Sequence, residues 1–166
     1  GVNGLGDFES QTKEAFDRTI QINFLSVVDC TRMALAHMNR NGFGYIVNIA
    51  SVAGFVSAPL MSAYAASKHA VVGFTRALEH DLRVKGSAIR TLMVSPGFVD
   101  TAILNKGQAI GFPHWMSPIL AKPEGVAVDI VRAIESQKSE IVPTLNGKTM
   151  LMIHKIMPKA LIRSTK

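Results

Sequence analysis

A hydroxyl at Ser51, a phenol at Tyr64 and an ammonium at Lys68 fall in one stretch, Y-I-V-N-I-A-S-V-A-G-F-V-S-A-P-L-M-S-A-Y-A-A-S-K from Tyr45 to Lys68. A phenol with a pKa of about 10 is a poor base at neutral pH. A nearby lysine cation favours phenolate and lowers that pKa. Tyr64 would then pass a proton to or from a substrate oxygen. Ser51 would hydrogen-bond the same oxygen and hold the reacting carbon in place. That oxygen is a carbonyl in one direction and a hydroxyl in the other. The hydride still needs a carrier, and a nicotinamide supplies what no side chain can.

These groups must be placed by a strand and a helix. Tyr45 to Ile49 is a short apolar run after Gly44, the pattern of a buried strand, and Ser51 sits just past its carboxyl end. Tyr64 and Lys68 are four apart and share one face of a helix expected from about Ala63 to Val84. Open α/β sheets bind ligands at the carboxyl edge of their strands. Ala66, Ala70, Phe74, Ala77 and Leu78 are read as that helix's buried face. A preceding helix, capped by Thr12 with Glu14 in its first turn, is expected to run to about Met38. Phe16, Ile20, Phe24, Val27, Thr31, Ala34 and Met38 carry its 3.6-residue period, and Ile22, Val28 and Leu35 form a second apolar flank. Asn39 to Gly44 reads as a turn. Ile89 to Val94 reads as a second strand ending at Ser95-Pro96-Gly97, where Gly97 permits close approach of backbone to a ligand. Pro123 and Glu124 open another helix, with Val126, Ala127, Ile130, Val131 and Ile134 towards the core. Glu140 to Thr144 reads as a short strand at a sheet edge, since Pro143 cannot donate to a ladder.

The ordered set of motifs resembles the classical short-chain dehydrogenase/reductase family. Ser51, Tyr64 thirteen residues on, and Lys68 resemble its active-site pattern, and Asn23 in Q-I-N-F resembles its active-site asparagine. V-N-I-A-S-V-A-G is similar to the serine strand, with Ala50 where a serine is common. Y-A-A-S-K-H-A is similar to the Y-x-A-S-K-x-A helix start, and S-P-G-F-V-D-T from Ser95 to Thr101 to the P-G loop that contacts the nicotinamide. The resemblance covers roughly residues 1–143. It implies a Rossmann-like, doubly wound parallel α/β sheet and NAD or NADP as cofactor. It makes Asn23, Ser51, Tyr64 and Lys68 the catalytic set, with Asn23 holding a water in a proton relay from Lys68. A kinked helix at Asn23 would suit that role. Tyr64, Lys68, Pro96, Gly97, Val99 and Thr101 would contact the cofactor, Lys68 through the nicotinamide ribose and Val99 through its main chain. In the family the two helices before and after the serine strand commonly build a subunit interface, so the resemblance also implies a homo-oligomer.

The family's T-G-x-x-x-G-x-G turn, which holds a pyrophosphate on a helix N-terminus, is missing. Gly1, Gly4 and Gly6 follow no apolar strand, and Gly1 resembles the last residue of the family's N-N-A-G loop. The expectation is the carboxyl-terminal part of a longer enzyme, without the N-terminal strands of the sheet. Residues 1–146 would form one part of a single domain, and 147–166 a basic amphipathic tail.

At 166 residues and 48% hydrophobic content the chain can bury a core. Its net charge of +6 invites a nucleic-acid reading, but Lys148, Lys155, Lys159, Arg163 and Lys166 fall in the last nineteen residues with no acid among them. Setting those five aside leaves 13 basic against 12 acidic residues, so the charge belongs to the tail and not to a groove. The tail's Met150, Leu151, Met152, Ile153, Ile156 and Met157 suit either a helix docked on a partner subunit or one lying on a membrane surface. A cytoplasmic and a membrane-associated location both stay open. Residues 102–122, with Ile103, Leu104, Phe112 and Trp115, match the family's substrate lid and imply an apolar alcohol or ketone, although the same residues would also suit plain core packing.

Several side chains read as bland. Cys30 is expected to be a small, buried or half-buried hydrophobe, Ser67 a helix-packing residue, and His69 and His80 solvent-facing with no metal cluster around them. The alternative from another class is a non-enzymatic, truncated or degenerate relative acting through helix pairing or its basic tail.

Overall fold

The computed structural model describes residues 1–2, 5–101 and 119–157. The strands are β1 (Gly44–Ile49), β2 (Ile89–Val94) and β3 (Glu140–Ile141), and all pair in parallel in the order β1-β2-β3. Gly44 lies opposite Ile89 and Ile49 opposite Val94, so β1 and β2 end level. That shared end is where Ser51 and Ser95 follow. β3 is an edge strand, and it is shorter than the expected Glu140–Thr144.

Helices cover both faces. Along β1 and β2 alternate residues point to opposite sides, as the pleat requires. Ile46 and Ile89 pack with Leu82 against Ala34, Leu35, Met38 and Leu78. Leu92 and Val94 pack with Ala133 against Val47, Ile130, Ile134 and Ile141. The first layer contains α1 (Lys13–Ile20), a π-helical turn (Gln21–Leu25), α2 (Ser26–Asn41) and α3 (Ser62–Val84). The second contains α4 (Pro123–Glu135). A last helix, α5 (Leu145–Ile156), begins two residues before Gly147. None of the described helices is long and apolar enough to cross a membrane.

The local causes are the ones the sequence carries. Thr12 caps α1 by accepting from the Ala15 amide at 3.2 Å. Gly42, at φ +79°, ends α2 in the left-handed conformation that suits glycine. Pro123 opens α4. Polar groups inside the first layer are paired: the Asn48 amide donates to Thr75 Oγ1 at 3.0 Å, and Thr75 donates to the Val71 carbonyl at 2.8 Å. Arg76 ties α3 to β3 with a two-pronged ion pair to Glu140 at 2.6 and 2.9 Å, its guanidinium 5.1 Å from the Phe55 ring centre.

Three packing expectations need correction. On α3, Ala66 and Ala77 are exposed, and the buried face is Ala63, Ala65, Ser67, Lys68, Val71, Val72, Thr75 and Leu82. Ala70, Phe74 and Leu78 are half-buried, as part of the expected face, and the polar Ser67, Lys68 and Thr75 point inward beside them. On α4, Ala127 and Val131 face outward while Ala133 is buried. Cys30 is exposed, at the margin of the α2 stripe that Val27, Thr31 and Ala34 bury. His69 and His80 are exposed as expected.

Candidate active site

Ser51 is held in an extended conformation, with φ −172° and ψ 162°, just beyond β1. Sheet pairing runs on past the strand: the Ala50 amide donates to the Val94 carbonyl at 2.8 Å and the Val52 amide to the Pro96 carbonyl at 2.9 Å. The Ser51 hydroxyl accepts from the Ala53 amide at 3.2 Å, capping the short 3-10 turn Val52–Gly54. It also donates to the Pro96 carbonyl at 3.4 Å. That turn sits directly on α3. A Cβ at Gly54 would lie 2.7 Å from the Lys68 carbonyl oxygen and 2.7 Å from Val72 Cγ2. The serine is thereby fixed against the helix turn that carries the lysine.

Lys68 is only 8% exposed, and its Nζ donates to the Ile49 carbonyl at 3.0 Å. The same nitrogen lies 5.8 Å from the centre of the Tyr64 ring. Burial lowers the lysine pKa to about 8. Burial likewise raises the Tyr64 phenol above its ordinary value, and a hydrogen bond with the Ser51 side chain works in the opposite direction. The net direction is contrary to the sequence-based expectation of a lysine-lowered phenol. Desolvation of the phenolate outweighs the rest, and the partner that opposes it is the serine.

Asn23 lies in the π-helical turn and is 2% exposed. Its carboxamide brackets one residue of the amino-terminal segment, accepting from the Val2 amide at 2.8 Å and donating to the Val2 carbonyl at 2.9 Å. It also donates to Ser67 Oγ at 3.2 Å. Ser67 is fully buried and donates to the Tyr64 carbonyl at 2.7 Å. The helix expected to run on to Met38 is interrupted here by the π-turn, which suits the role the resemblance implies for Asn23. The side chain's polar atoms are engaged by Val2 and Ser67. Ser67 is more than packing, because it joins the asparagine turn to the tyrosine's own peptide.

The loop after β2 is the second half of the site. Its Gly97 amide donates to Thr144 Oγ1 at 2.8 Å, and its Phe98 amide donates to Asn146 Oδ1 at 3.1 Å. A Cβ at Gly97 would collide with Asn146 Oδ1 and lie 2.7 Å from the Gly147 nitrogen. Val99 bridges Ala121, and Thr101 Oγ1 donates to the Val99 carbonyl at 3.4 Å. The sequence marks Thr144 as a strand end and gives Asn146 no role. The T-L-N-G pattern is a readable helix cap, and Thr144 does accept from the Gly147 amide at 3.2 Å. Its reach back to Gly97 has no local signal. Residues 102–118, where most of the expected lid falls, lie outside the described residues, as does the tail from 158 on.

The donor set suits the nicotinamide end of a dinucleotide. The lysine ammonium has three N–H groups and Ile49 takes one. The buried Ser95 hydroxyl has no hydrogen-bond partner among the described residues. No group of three His, Cys, Asp or Glu side chains able to hold a metal occurs among them.

Comparison with known proteins places the family and the fold. The short chain dehydrogenase family model matches residues 1–109, and the chain belongs to that family. It is 38% identical over 164 residues to 15-hydroxyprostaglandin dehydrogenase (NAD(+)) of Homo sapiens, covering 90% of this chain and 58% of that protein. It is 29% identical over 168 residues to estradiol 17-beta-dehydrogenase 11 of Mus musculus, covering 100% of this chain and 54% of that one. A short chain dehydrogenase/reductase of Burkholderia phymatum, solved in complex with NAD, superposes with a TM-score of 0.79 at 25% identity, over 96% of this chain and 64% of that one. A short chain dehydrogenase of Burkholderia cenocepacia solved with NADP shares the fold at a TM-score of 0.82 and 21% identity, over 100% of this chain and 66% of that one. The chain spans between half and two thirds of the length of these relatives.

Proposed function

We propose that this chain supplies the catalytic side of an NAD- or NADP-dependent oxidoreductase acting on an apolar alcohol or ketone. The observation that carries the reading is the meeting of the Ser51 hydroxyl, the Tyr64 phenol and the Lys68 ammonium beyond the carboxyl end of β1. A bound nicotinamide supplies or accepts the hydride. Tyr64 gives its phenolic proton to the substrate oxygen during carbonyl reduction and takes it back during alcohol oxidation. Its raised pKa keeps the phenol protonated at neutral pH, ready for the reductive direction. Ser51 donates to the same oxygen and fixes its position. Lys68 binds the nicotinamide ribose with the N–H groups that Ile49 leaves over. Pro96, Gly97, Val99 and Thr101 line the carboxamide side. A water relay from Lys68 by way of Asn23 would share the carboxamide with Val2 and Ser67, which already engage it.

The names of the relatives support a lipid-like substrate, since 15-hydroxyprostaglandin and estradiol are hydrophobic alcohols. The exposed Met33 on α2 and Ala66 and Ala77 on α3 suit pairing with a second copy. Exposed Leu145, Met152 and Ile156 on α5 suit a partner subunit or a membrane surface. The test is Tyr64→Phe in the natural polypeptide. Turnover of hydrophobic alcohols with NAD or NADP should vanish while NADH or NADPH still binds. Near-normal turnover in that variant would sink the assignment.

A further inference from the structure

Asn146 is read by nothing in the motif pattern, yet its side chain makes three hydrogen bonds to main-chain atoms far away in sequence. Its Oδ1 accepts from the Phe98 amide at 3.1 Å. Its Nδ2 donates to the Phe98 carbonyl at 2.9 Å and to the Ile119 carbonyl at 2.8 Å. A carboxamide that bonds both the N–H and the C=O of one residue imitates a neighbouring strand. The two carbonyls also fix which end of the amide is nitrogen, because only N–H can face them. Phe98 and Ile119 both lie just upstream of the parallel Val99–Ala121 bridge, one on each of the two segments it joins. Beside Asn146, Thr144 accepts from the Gly97 amide, and Gly97 lies so close to Gly147 that a Cβ on Gly147 would be 2.9 Å from the Gly97 nitrogen. The start of α5 therefore grips the P-G loop at two consecutive residues, Gly97 and Phe98.

We propose that Asn146 is a positioning residue for the dinucleotide-facing loop, holding the Gly97–Val99 main chain in the conformation that receives the nicotinamide and tying it to Ile119. The inference rests on the oxidoreductase reading and adds a residue from outside the recognised motifs. The Phe98 carbonyl also accepts from the Ala121 amide at 3.1 Å, so the loop is held by the 119–121 segment and by the last helix together, with Asn146 bonding to both. An acceptor in place of the amide nitrogen would set a carboxylate against two carbonyl oxygens.

The experiment is Asn146→Asp in the natural polypeptide, with NADH and NADPH titrated separately and followed by the fluorescence of the bound nicotinamide. Hydrogen exchange at the Gly97–Phe98 amides is read in the same protein without cofactor. The dissociation constant of the cofactor should rise about tenfold or more, as expected for losing two hydrogen bonds to the main chain and gaining a repulsion. Exchange at those amides should accelerate while exchange in β1 and β2 stays unchanged. Asn146→Ala, which removes the bonds without adding charge, should show the same two effects more weakly and serves if the aspartate variant does not fold. Unchanged cofactor affinity and unchanged exchange in both variants would overturn the proposal. Failure of the unmutated protein to bind either dinucleotide would overturn the oxidoreductase reading itself, and this inference with it. Loss of exchange protection spread evenly over the whole sheet would mark Asn146 as a general stability residue, which also overturns it.

Discussion

Lys68 donates to the Ile49 carbonyl across 3.0 Å, so the last residue of β1 holds the buried ammonium beside the Tyr64 ring. A cation held there is expensive. The cost shows in a lysine pKa lowered to about 8 by burial.

That cost sets a pH dependence of stability. Below pH 8 both folded and unfolded chains hold the lysine proton, and the folded state carries the full desolvation penalty. Between pH 8 and the ordinary lysine value of 10.5 the folded state has released the proton while the unfolded chain keeps it. Stability must then rise with pH, since the unfolded state binds more protons. The expected gain is at most roughly 3 kcal/mol across that window. Above about pH 10 the raised Tyr64 phenol works the other way, because the unfolded chain then loses its phenolic proton first. Urea unfolding of the unmutated protein between pH 7 and about 10 should show the rise, and Lys68→Met should flatten it. A rise of the same size in the methionine variant would assign the effect to another group.

Two glycine-to-alanine changes should have opposite signs. At Gly54 the new methyl would press on the Lys68 carbonyl and on Val72, and a helix carbonyl cannot move aside. Gly54→Ala should cost about 1–3 kcal/mol and push the Ser51 turn off α3. Gly73 lies in the middle of α3 with nothing within 4 Å of the position of a Cβ. Gly73→Ala should stabilise by about 0.5–1 kcal/mol through helix propensity. Thermal unfolding of both variants checks the pair. Equal effects would show that the Ser51 turn is not seated on α3 as described.

Ser67→Ala removes a fully buried hydroxyl that bonds both Asn23 and the Tyr64 carbonyl. The Asn23 amide keeps its bond to Val2 and loses the other. A loss of about 1–2 kcal/mol is expected, measured by denaturant midpoint. No loss at all would mean that the Asn23–Ser67 contact carries no energy.

The strand-end serine and the tyrosine–lysine pair were legible because their geometry is local. A run of β-formers places Ser51, and a spacing of four places Tyr64 and Lys68 on one helix face. The helix starts at Thr12 and Pro123 are legible for the same reason, while the parallel α/β architecture follows from the family resemblance. What could not be read depends on distant partners. Asn23 is tied to residues 21 and 44 positions away, and Asn146 to one 48 positions away. The direction of the Tyr64 pKa depends on burial, which spacing does not encode. The buried side of α3 is legible only in part, at Ala70, Phe74 and Leu78, because three of its inward residues are polar, and each is inward for a bonding reason that no hydropathy pattern contains.

The π-helical turn at Gln21–Leu25 has a consequence for chain length. A π-turn is an α-helix holding one extra residue. Removing a residue there would let α1 and α2 join as an unbroken α-helix with their outer contacts largely kept. What would be lost is the local swelling that brings the Asn23 carboxamide within reach of both Val2 and Ser67. Residue count in this five-residue window, and not side-chain chemistry alone, therefore separates a helix that merely packs from one that serves the site.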